Sequence, residues 1–207
     1  MADWDADSPE LRRNLAALSR AISDSATRRD TPSLDLVREW HRRMMKGLDV
    51  PDAAYVGRFR GEHGVHLDVS VGRAEGVAYH RVRMQLTNFE RRLQSAVAAL
   101  DAQYPDGVEL DTDGVAAVTE LAGWAHAEWI RIHPFANGNG RTARMWANFL
   151  LQRFGLPPVM RLRPRPQGDY ATAGARAMER DWQPTVALIL RTLAELEPAG
   201  STTRGRG

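Results

Sequence analysis

The sequence predicts an all-α fold with one β-hairpin, and two hydrophobic patterns carry this prediction. Apolar residues recur at helical spacing over most of the chain, which is typical of helices that bury one face. Residues 65–71 instead alternate apolar with polar or small side chains, which is typical of a strand. Because no further strand pattern follows, we predict an isolated hairpin on a helical domain.

Capping and breaking residues place the helix limits. Ser8 followed by Pro9 is a typical helix start, and Asp111 and Asp113 favour another start because acidic groups stabilise helix N-termini. Pro134 ends the helix that begins there. The remaining predicted helices lie after Thr31–Ser33, from near Val82 to before Tyr104, from near Gly138, around Tyr170–Met178 and around Pro184–Leu196.

Two short strands around a glycine-flanked turn make up the predicted hairpin. Residues 57–60, Gly-Arg-Phe-Arg, precede the turn-like residues 61–64, Gly-Glu-His-Gly, and the alternating strand follows. Short strands joined by such a turn typically pair as a hairpin. We therefore predict a flap that stands apart from the helices.

Composition limits the partners that we expect. The 207 residues carry 28 Lys plus Arg against 26 Asp plus Glu, and the arginines are scattered, so we expect no nucleic-acid partner. The absence of cysteine excludes disulfides and thiolate metal sites. No apolar run is long enough to cross a bilayer, and the acidic residues 1–10 lack a signal-peptide pattern. We therefore expect a cytoplasmic protein without a membrane partner.

The segment that carries chemistry is residues 133–144, His-Pro-Phe-Ala-Asn-Gly-Asn-Gly-Arg-Thr-Ala-Arg, which joins two predicted helices. Two glycines flank Asn139, so the backbone can approach a ligand closely, and the N-terminus of the next helix favours phosphates. Arg141 and Arg144 are three residues apart and can bind phosphate oxygens from one face. His133 is a natural general base beside this site. The alternative is a purely structural loop, since Asn-Gly pairs also form turns without a ligand.

This block resembles the motif of the Fic/Doc (Fido domain) family, His-Pro-Phe-x-Asp/Glu-Gly-Asn-Gly-Arg-x-x-Arg. Every fixed position matches except 137, where Asn137 replaces Asp or Glu. The resemblance covers about residues 34–196 and implies a Fic-type helical domain with a flap hairpin. We therefore divide the chain into an N-terminal helical extension, residues 1–33, a Fic domain, residues 34–197, and a disordered tail, residues 198–207.

The resemblance implies a protein adenylyltransferase, which moves AMP from ATP onto a Ser, Thr or Tyr hydroxyl of a target protein. His133 is expected to deprotonate the hydroxyl, which attacks the α-phosphorus so that pyrophosphate leaves. The implied nucleotide-binding residues are Asn139 for the α-phosphate, Gly138 and Gly140 for a backbone anion hole, Arg141 for the β-phosphate and Arg144 for the γ-phosphate.

The resemblance also implies roles outside the phosphate site. The flap residues Gly57, Arg58, Phe59 and Arg60 are expected to clamp the target segment by strand-like pairing. Phe135 is expected to point into the core and anchor the loop. Gly140 favours AMP transfer, because the Doc branch, which transfers phosphate, has lysine at that position.

Asn137 is the one departure from the motif, and it concerns Mg²⁺. In the family this carboxylate holds the Mg²⁺ that bridges the phosphates, and a neutral amide oxygen binds such a hard cation less tightly. We expect ATP as substrate and Mg²⁺ as cofactor, with Asn137 a weak ligand. The alternatives are a catalytically impaired Fic domain that acts as a nucleotide-binding or interaction module, and transfer of another phosphate-containing group.

Regulation is indicated only by a missing pattern. Many Fic proteins carry an inhibitory helix, Ser/Thr-x-x-x-Glu-Gly/Asn, whose Glu pairs with the second motif arginine. Here the only Glu followed by Gly or Asn is Glu75, and Val71 stands four residues before it. One hypothesis is a separate antitoxin-like inhibitor that supplies a glutamate to Arg144, and the other is that the chain is not regulated in cis.

Overall fold

The computed structural model describes residues 8–72 and 74–196, and over these ranges the all-α class with one hairpin is confirmed. An antiparallel hairpin pairs Ser70 with Glu75 and Val71 with Ala74. The helices are α1 Pro9–Thr27, α2 Leu34–Met45, α3 Tyr79–Gln103, α4 Thr112–Ile132, α5 Asn139–Arg153, α6 Asp169–Met178 and α7 Gln183–Leu196, and the strands are β1 Ser70–Val71 and β2 Ala74–Glu75.

Helices α4 and α5 form the centre of the fold. Helix α5 packs against α1, α2 and α4, and α4 also packs against α3, α6 and α7. Trp129 and Trp146 are fully buried between them, with ring centroids 6.0 Å apart. Trp129 Nε1 also donates to Thr142 Oγ1 at 2.8 Å, which satisfies the buried indole N–H. The loop between α4 and α5 therefore joins two helices that are both packed in the core.

The predicted capping residues are confirmed at two helix starts. Ser8 Oγ accepts from the N–H of Leu11 at 3.0 Å, with Pro9 in the first turn, and Asp111 Oδ1 accepts from the N–H of Gly114 at 2.7 Å. A side-chain acceptor at this position satisfies one of the N–H groups that a helix start leaves unpaired. These two caps explain why the first residues of α1 and α4 could be predicted from the sequence.

The hairpin lies further along the chain than predicted. Residues 57–60 and 65–69 form no strand, and β1 and β2 occupy only 70–71 and 74–75. The N–H of Arg60 donates to the carbonyl of Pro134 at 2.7 Å. Residues 57–60 therefore pack against the loop between α4 and α5, residues 133–138, which we call the motif loop. Val65 is fully buried although it lies in no strand, so the apolar alternation from there onward does not mark a sheet face.

The predicted domain limits remain predictions. Helix α1 belongs to the predicted N-terminal extension, yet its apolar face joins the common core through Leu11, Leu15, Leu18 and Ile22. The predicted disordered tail, residues 198–207, lies outside the described residues. Across residues 8–72 and 74–196, no helix combines the length and apolar character needed to span a bilayer.

Candidate active site

His133 ends α4 in the left-handed backbone region, with φ 53° and ψ 57°, so the chain turns sharply there. This region is unusual for a residue with a side chain and often marks a functional position. The ring Nδ1 lies 2.9 Å from the carbonyl oxygen of Ile130. Because a carbonyl only accepts, Nδ1 carries the ring proton and Nε2 keeps its lone pair. The ring is therefore held in the tautomer that a general base at Nε2 requires.

The surroundings of His133 keep its ring neutral. Burial lowers the pKa of His133 to about 4, the positive charge of Arg60 acts in the same direction, and the hydrogen bond to the Ile130 carbonyl opposes both. The residue as a whole is half-buried. At neutral pH the imidazole is thus free to accept a proton.

Asn139 closes the loop between α4 and α5. Its Oδ1 accepts from the N–H of Phe135, and its Nδ2 donates to the Phe135 carbonyl, both at 2.8 Å. The side chain is buried, and Phe135 points into the core, as predicted. A phosphate oxygen needs a donor, and Nδ2 carries a second proton beyond the one that it donates to Phe135. The expected contact of Asn139 with the α-phosphate therefore stays a prediction.

The N-terminus of α5 provides an anion-binding end. Gly138 caps the helix at φ 79°, and the first bond of the helix runs from the N–H of Thr142 to the Gly138 carbonyl at 2.9 Å. The preceding N–H groups of Asn139, Gly140 and Arg141 point along the positive end of the helix dipole. A Cβ on Gly138 would lie 2.6 Å from Met44 Cε, so both the conformation and the space require glycine.

Both motif arginines lie buried in the first turns of α5, with Arg141 6% and Arg144 3% exposed. Arg144 Nη1 donates to the Tyr170 hydroxyl at 2.9 Å, and Nη2 donates to the Leu162 carbonyl at 3.0 Å. Among the described residues, no carboxylate lies within ion-pair distance of Arg144. A buried charge with only neutral partners is costly, so an anion bound here would be stabilising.

Asn137 does not fit a Mg²⁺ site. Its Oδ1 accepts from the N–H of Gly138 and from Arg141 Nη2, the latter at 3.2 Å. These donors occupy the two lone pairs of the amide oxygen, and a guanidinium beside it repels a cation. Over the described ranges, no group of three or more His, Cys, Asp or Glu could hold a metal ion. The expected role of Asn137 as a weak metal ligand stays a prediction, and in this structure its oxygen supports Arg141 instead.

Arg60 connects the C-terminus of α4 with the segments on both sides of the hairpin. Its side chain is fully buried. The guanidinium donates to carbonyl groups at the C-terminus of α4 and on both sides of the hairpin. The acceptors are Leu67 at 3.2 Å, Val77 at 2.7 Å, Ile132 at 3.0 Å and His133 at 2.7 Å. Ile132 ends α4, where carbonyls lack helical partners. The guanidinium thus caps α4 at the point where the His133 side chain projects.

The other predicted flap residues are mostly inaccessible as well. Gly57 and Phe59 are buried, with the Phe59 ring centroid 4.8 Å from that of Phe135, and only Arg58 is exposed. The expectation that residues 57–60 clamp a target stays a prediction, and of the four only Arg58 is exposed. These residues are buried because Phe59 and Arg60 pack against the motif loop, at Phe135 and Pro134 respectively.

The observed hairpin borders His133 instead. Gly76 follows β2, and its N–H donates to the Val69 carbonyl at 3.0 Å. A Cβ built on Gly76 would lie 3.1 Å from His133 Cβ. The element next to His133 is therefore the 70–75 hairpin. Only its first strand, residues 70–71, lies within the strand that the sequence predicts.

Sequence reasoning missed His41, which joins three parts of the site. Its Nδ1 accepts from the N–H of Gly57 at 2.9 Å, and its Nε2 donates to the Asn137 carbonyl at 3.1 Å. The ring stacks on Phe135, with centroids 3.9 Å apart. The signal was present, because His41 lies four residues after Val37 on the apolar face of α2.

Buried imidazoles predict a loss of stability in mild acid. His41 and His126 are fully buried, and burial lowers their pKa to about 4 and about 3, respectively. In the unfolded chain histidine titrates near ~6.5, so the unfolded state binds more protons as the pH falls below that value. We expect the free energy of unfolding to drop on the order of 1 kcal/mol or more between pH 7 and pH 5.

Urea unfolding at a series of pH values measures this effect above the range in which carboxylates titrate. The exposed His63 provides the control, since His63→Ala should leave the slope unchanged. A flat stability profile between pH 7 and pH 5 would contradict the neutral state of these rings.

Comparison with known proteins agrees with the site. The model of the Fic/DOC family matches residues 31–151. The Caenorhabditis elegans protein adenylyltransferase fic-1 is 34% identical over 131 residues, which are 63% of this chain and 21% of that protein. The Nematostella vectensis protein adenylyltransferase Fic is 39% identical over 72 residues, 35% of this chain and 17% of that protein.

A solved structure of a Fic protein has a similar fold. A fragment of Fic-1 from Caenorhabditis elegans superimposes with a TM-score of 0.62 at 25% identity, covering 88% of this chain and 48% of that chain. The chain spans about a fifth of the length of the two curated relatives. The family match includes His133 and the first turns of α5, and it extends over more than half of the sequence. The chain therefore belongs to the Fic/DOC family.

Proposed function

We propose that this protein transfers AMP from ATP to a Ser, Thr or Tyr hydroxyl of a target protein. The observation that carries the proposal is the position of His133, whose basic Nε2 is fixed by the Nδ1–Ile130 bond directly before the anion-binding end of α5. Relatives that are protein adenylyltransferases support the same chemistry.

The proposed step needs one base and a held triphosphate. Nε2 of His133 accepts the proton of the target hydroxyl, whose oxygen forms a bond to the α-phosphorus. The bond from the α-phosphorus to the oxygen that bridges to the β-phosphorus breaks, and pyrophosphate leaves with that electron pair. Positioning and charge neutralisation dominate such reactions, and the α5 N–H groups, Arg141 and Arg144 supply both.

The low pKa of His133 agrees with this role once ATP is bound. An imidazole with a pKa of about 4 is a weak base in the free protein. A triphosphate beside the ring favours the imidazolium and raises the pKa. Bound ATP thus strengthens the base in the complex in which it acts.

The 70–75 hairpin is the proposed contact for the target segment, since it borders His133. Short strands with an open edge can pair with an extended peptide through main-chain hydrogen bonds. This assignment replaces residues 57–60 as the target-binding element.

A separate antitoxin-like inhibitor remains a hypothesis for regulation. Arg144 has only neutral partners among the described residues, so a glutamate from a partner would gain a charge-assisted hydrogen bond there. Isolation of the protein from its host without any helical partner, together with full activity of the isolated chain, would argue against this hypothesis.

A second function is favoured by Asn137. Because position 137 is a neutral asparagine, the site lacks the acidic ligand of the family motif, and the amide oxygen is engaged by Gly138 and Arg141. An impaired domain that binds nucleotide without transferring it is the corresponding alternative. Such a domain would act as an interaction module.

Two labelled forms of ATP separate these functions and identify the transferred group. The protein is incubated with ATP labelled at the α-phosphorus or at the γ-phosphorus, and with cell lysate as a source of targets. AMP transfer predicts protein-bound label from the α-form alone. Label from the γ-form would indicate phosphate transfer, and nucleotide binding without any label would favour the module.

Replacement of Asn137 by aspartate tests its relation to Mg²⁺. A carboxylate adds the negative oxygen that this cation prefers. We expect Asn137→Asp to raise the rate of transfer at limiting Mg²⁺ and to lower the Mg²⁺ concentration needed for half-maximal rate. A Mg²⁺ titration of both proteins measures the effect, and an unchanged Mg²⁺ dependence would show that position 137 does not limit metal use.

A further inference from the structure

A buried chain of three side chains lies behind the phosphate-binding end of α5. Arg144 from α5 donates to the hydroxyl of Tyr170 from α6 at 2.9 Å, and that hydroxyl lies 2.9 Å from Nε2 of His126 on α4. Arg144 and Tyr170 are nearly buried, and His126 is fully buried. Three helices therefore meet in one polar contact at a place that is otherwise apolar.

The chemistry of the three groups gives the chain a direction. A guanidinium only donates, so the Tyr170 oxygen is an acceptor from Arg144 and its own proton is free for His126. Burial, with a smaller effect of the Arg144 charge, lowers the pKa of His126 to about 3, so its ring is neutral. We assign the Tyr170 proton to Nε2, which places the ring proton on Nδ1, a buried atom without a hydrogen-bond partner among the described residues. Each bond polarises the next, which strengthens the acceptor that faces Arg144.

This chain fixes the direction of the Arg144 guanidinium. Nη1 is held by Tyr170 and Nη2 by the Leu162 carbonyl, while Nε has no partner among the described residues. A Cβ on Gly140 would lie 3.4 Å from Nη1, so the guanidinium lies against the first turn of α5. An arginine side chain otherwise has many rotamers and loses conformational entropy when it is fixed. Holding it in advance removes part of that cost from ligand binding.

We propose that Tyr170 and His126 are positioning residues that hold Arg144 for the phosphates of ATP beyond the α-phosphate. Tyr170 supplies the acceptor and His126 orients its hydroxyl. The inference rests on the proposed function, because it assumes that the first turns of α5 bind a triphosphate. It predicts an effect that depends on the number of phosphates and not on folding.

The test compares AMP with an ATP analogue that has a methylene bridge between the α- and β-phosphates. This bridge is needed because AMP transfer would break the natural α–β bond during the measurement. Tyr170→Phe keeps the ring and deletes only the hydroxyl. We expect it to weaken binding of the analogue about tenfold, as for loss of a hydrogen bond to a charged group, and to leave AMP binding unchanged. Calorimetry measures both affinities.

Two variants at position 126 provide a matched pair. His126→Gln keeps an acceptor near the place of Nε2, whereas His126→Phe has none. We expect the Gln variant to bind the analogue more tightly than the Phe variant, with no difference for AMP. This comparison also stands in for Tyr170→Phe if that variant does not fold.

The outcomes separate this proposal from the proposed function. Parent-like binding of the analogue by Tyr170→Phe, or equal weakening for both nucleotides, would overturn the positioning role while the function stands. Arg144→Ala serves as the reference. If the parent binds no analogue, or if Arg144→Ala binds it as the parent does, the triphosphate assignment fails and the positioning role fails with it.

Discussion

We expect His133→Ala to lower the rate of AMP transfer by a factor of about 10²–10⁴, the usual contribution of a general base. The substitution removes the one imidazole that the structure places between the hairpin and the N-terminus of α5. The phosphate-binding groups of α5 remain, so nucleotide binding should persist. The measurement is the rate of protein labelling from α-labelled ATP, with nucleotide affinity determined on the same sample.

The exposed His63 offers the matched control for this loss. His63→Ala also removes an imidazole, but from an exposed turn that is not part of the phosphate site. We expect this variant to label as the parent does. Thermal unfolding of both variants checks that the fold is kept. Parent-like labelling by a folded His133→Ala protein would eliminate this residue as the base.

The largest effect on stability is expected for Arg60→Ala. The guanidinium serves the carbonyls of Leu67, Val77, Ile132 and His133, and its removal leaves these acceptors without their donor. A buried group left unsatisfied costs about 1–3 kcal/mol. The total is several kcal/mol, which is comparable with the whole stability of a domain, about 5–15 kcal/mol. Urea unfolding should show a strongly lowered midpoint or no folded state.

Two neighbouring substitutions make the Arg60 result specific. Arg60→Lys keeps the charge and part of the donor capacity, so its stability should fall between the parent and Arg60→Ala. Arg58→Ala removes an exposed arginine two residues away and should change stability by less than about 0.5 kcal/mol. Equal stability of the Arg58 and Arg60 alanine variants would contradict the capping role.

The helical part of the fold could be predicted because its signals are local. Periodic apolar residues and the caps at Ser8 and Asp111 placed the helices close to their observed limits. The hairpin could not be placed in the same way. Val65 is buried without lying in a strand, and a single sequence does not distinguish such burial from pairing with another strand.

The candidate site was predictable where its residues are contiguous. His133, the glycines and the two arginines lie together because one loop and one helix turn carry them. The direction of each side chain was not predictable, because it depends on backbone groups distant in the sequence. Asn137 and Asn139 both turn to nearby backbone or to Arg141, and a buried arginine such as Arg60 runs against the usual exposure of that residue type.

The central claim is that a neutral imidazole presents an unprotonated Nε2 beside the phosphate-binding end of α5. Nitrogen NMR of the histidine rings tests it directly, with the His133 signals assigned by their loss in His133→Ala. We predict that at neutral pH Nδ1 of His133 is protonated and Nε2 is not, and that the ring titrates well below the ordinary value of about 6.5. A proton on Nε2 at neutral pH, or a titration at or above that value in the free protein, would contradict the account.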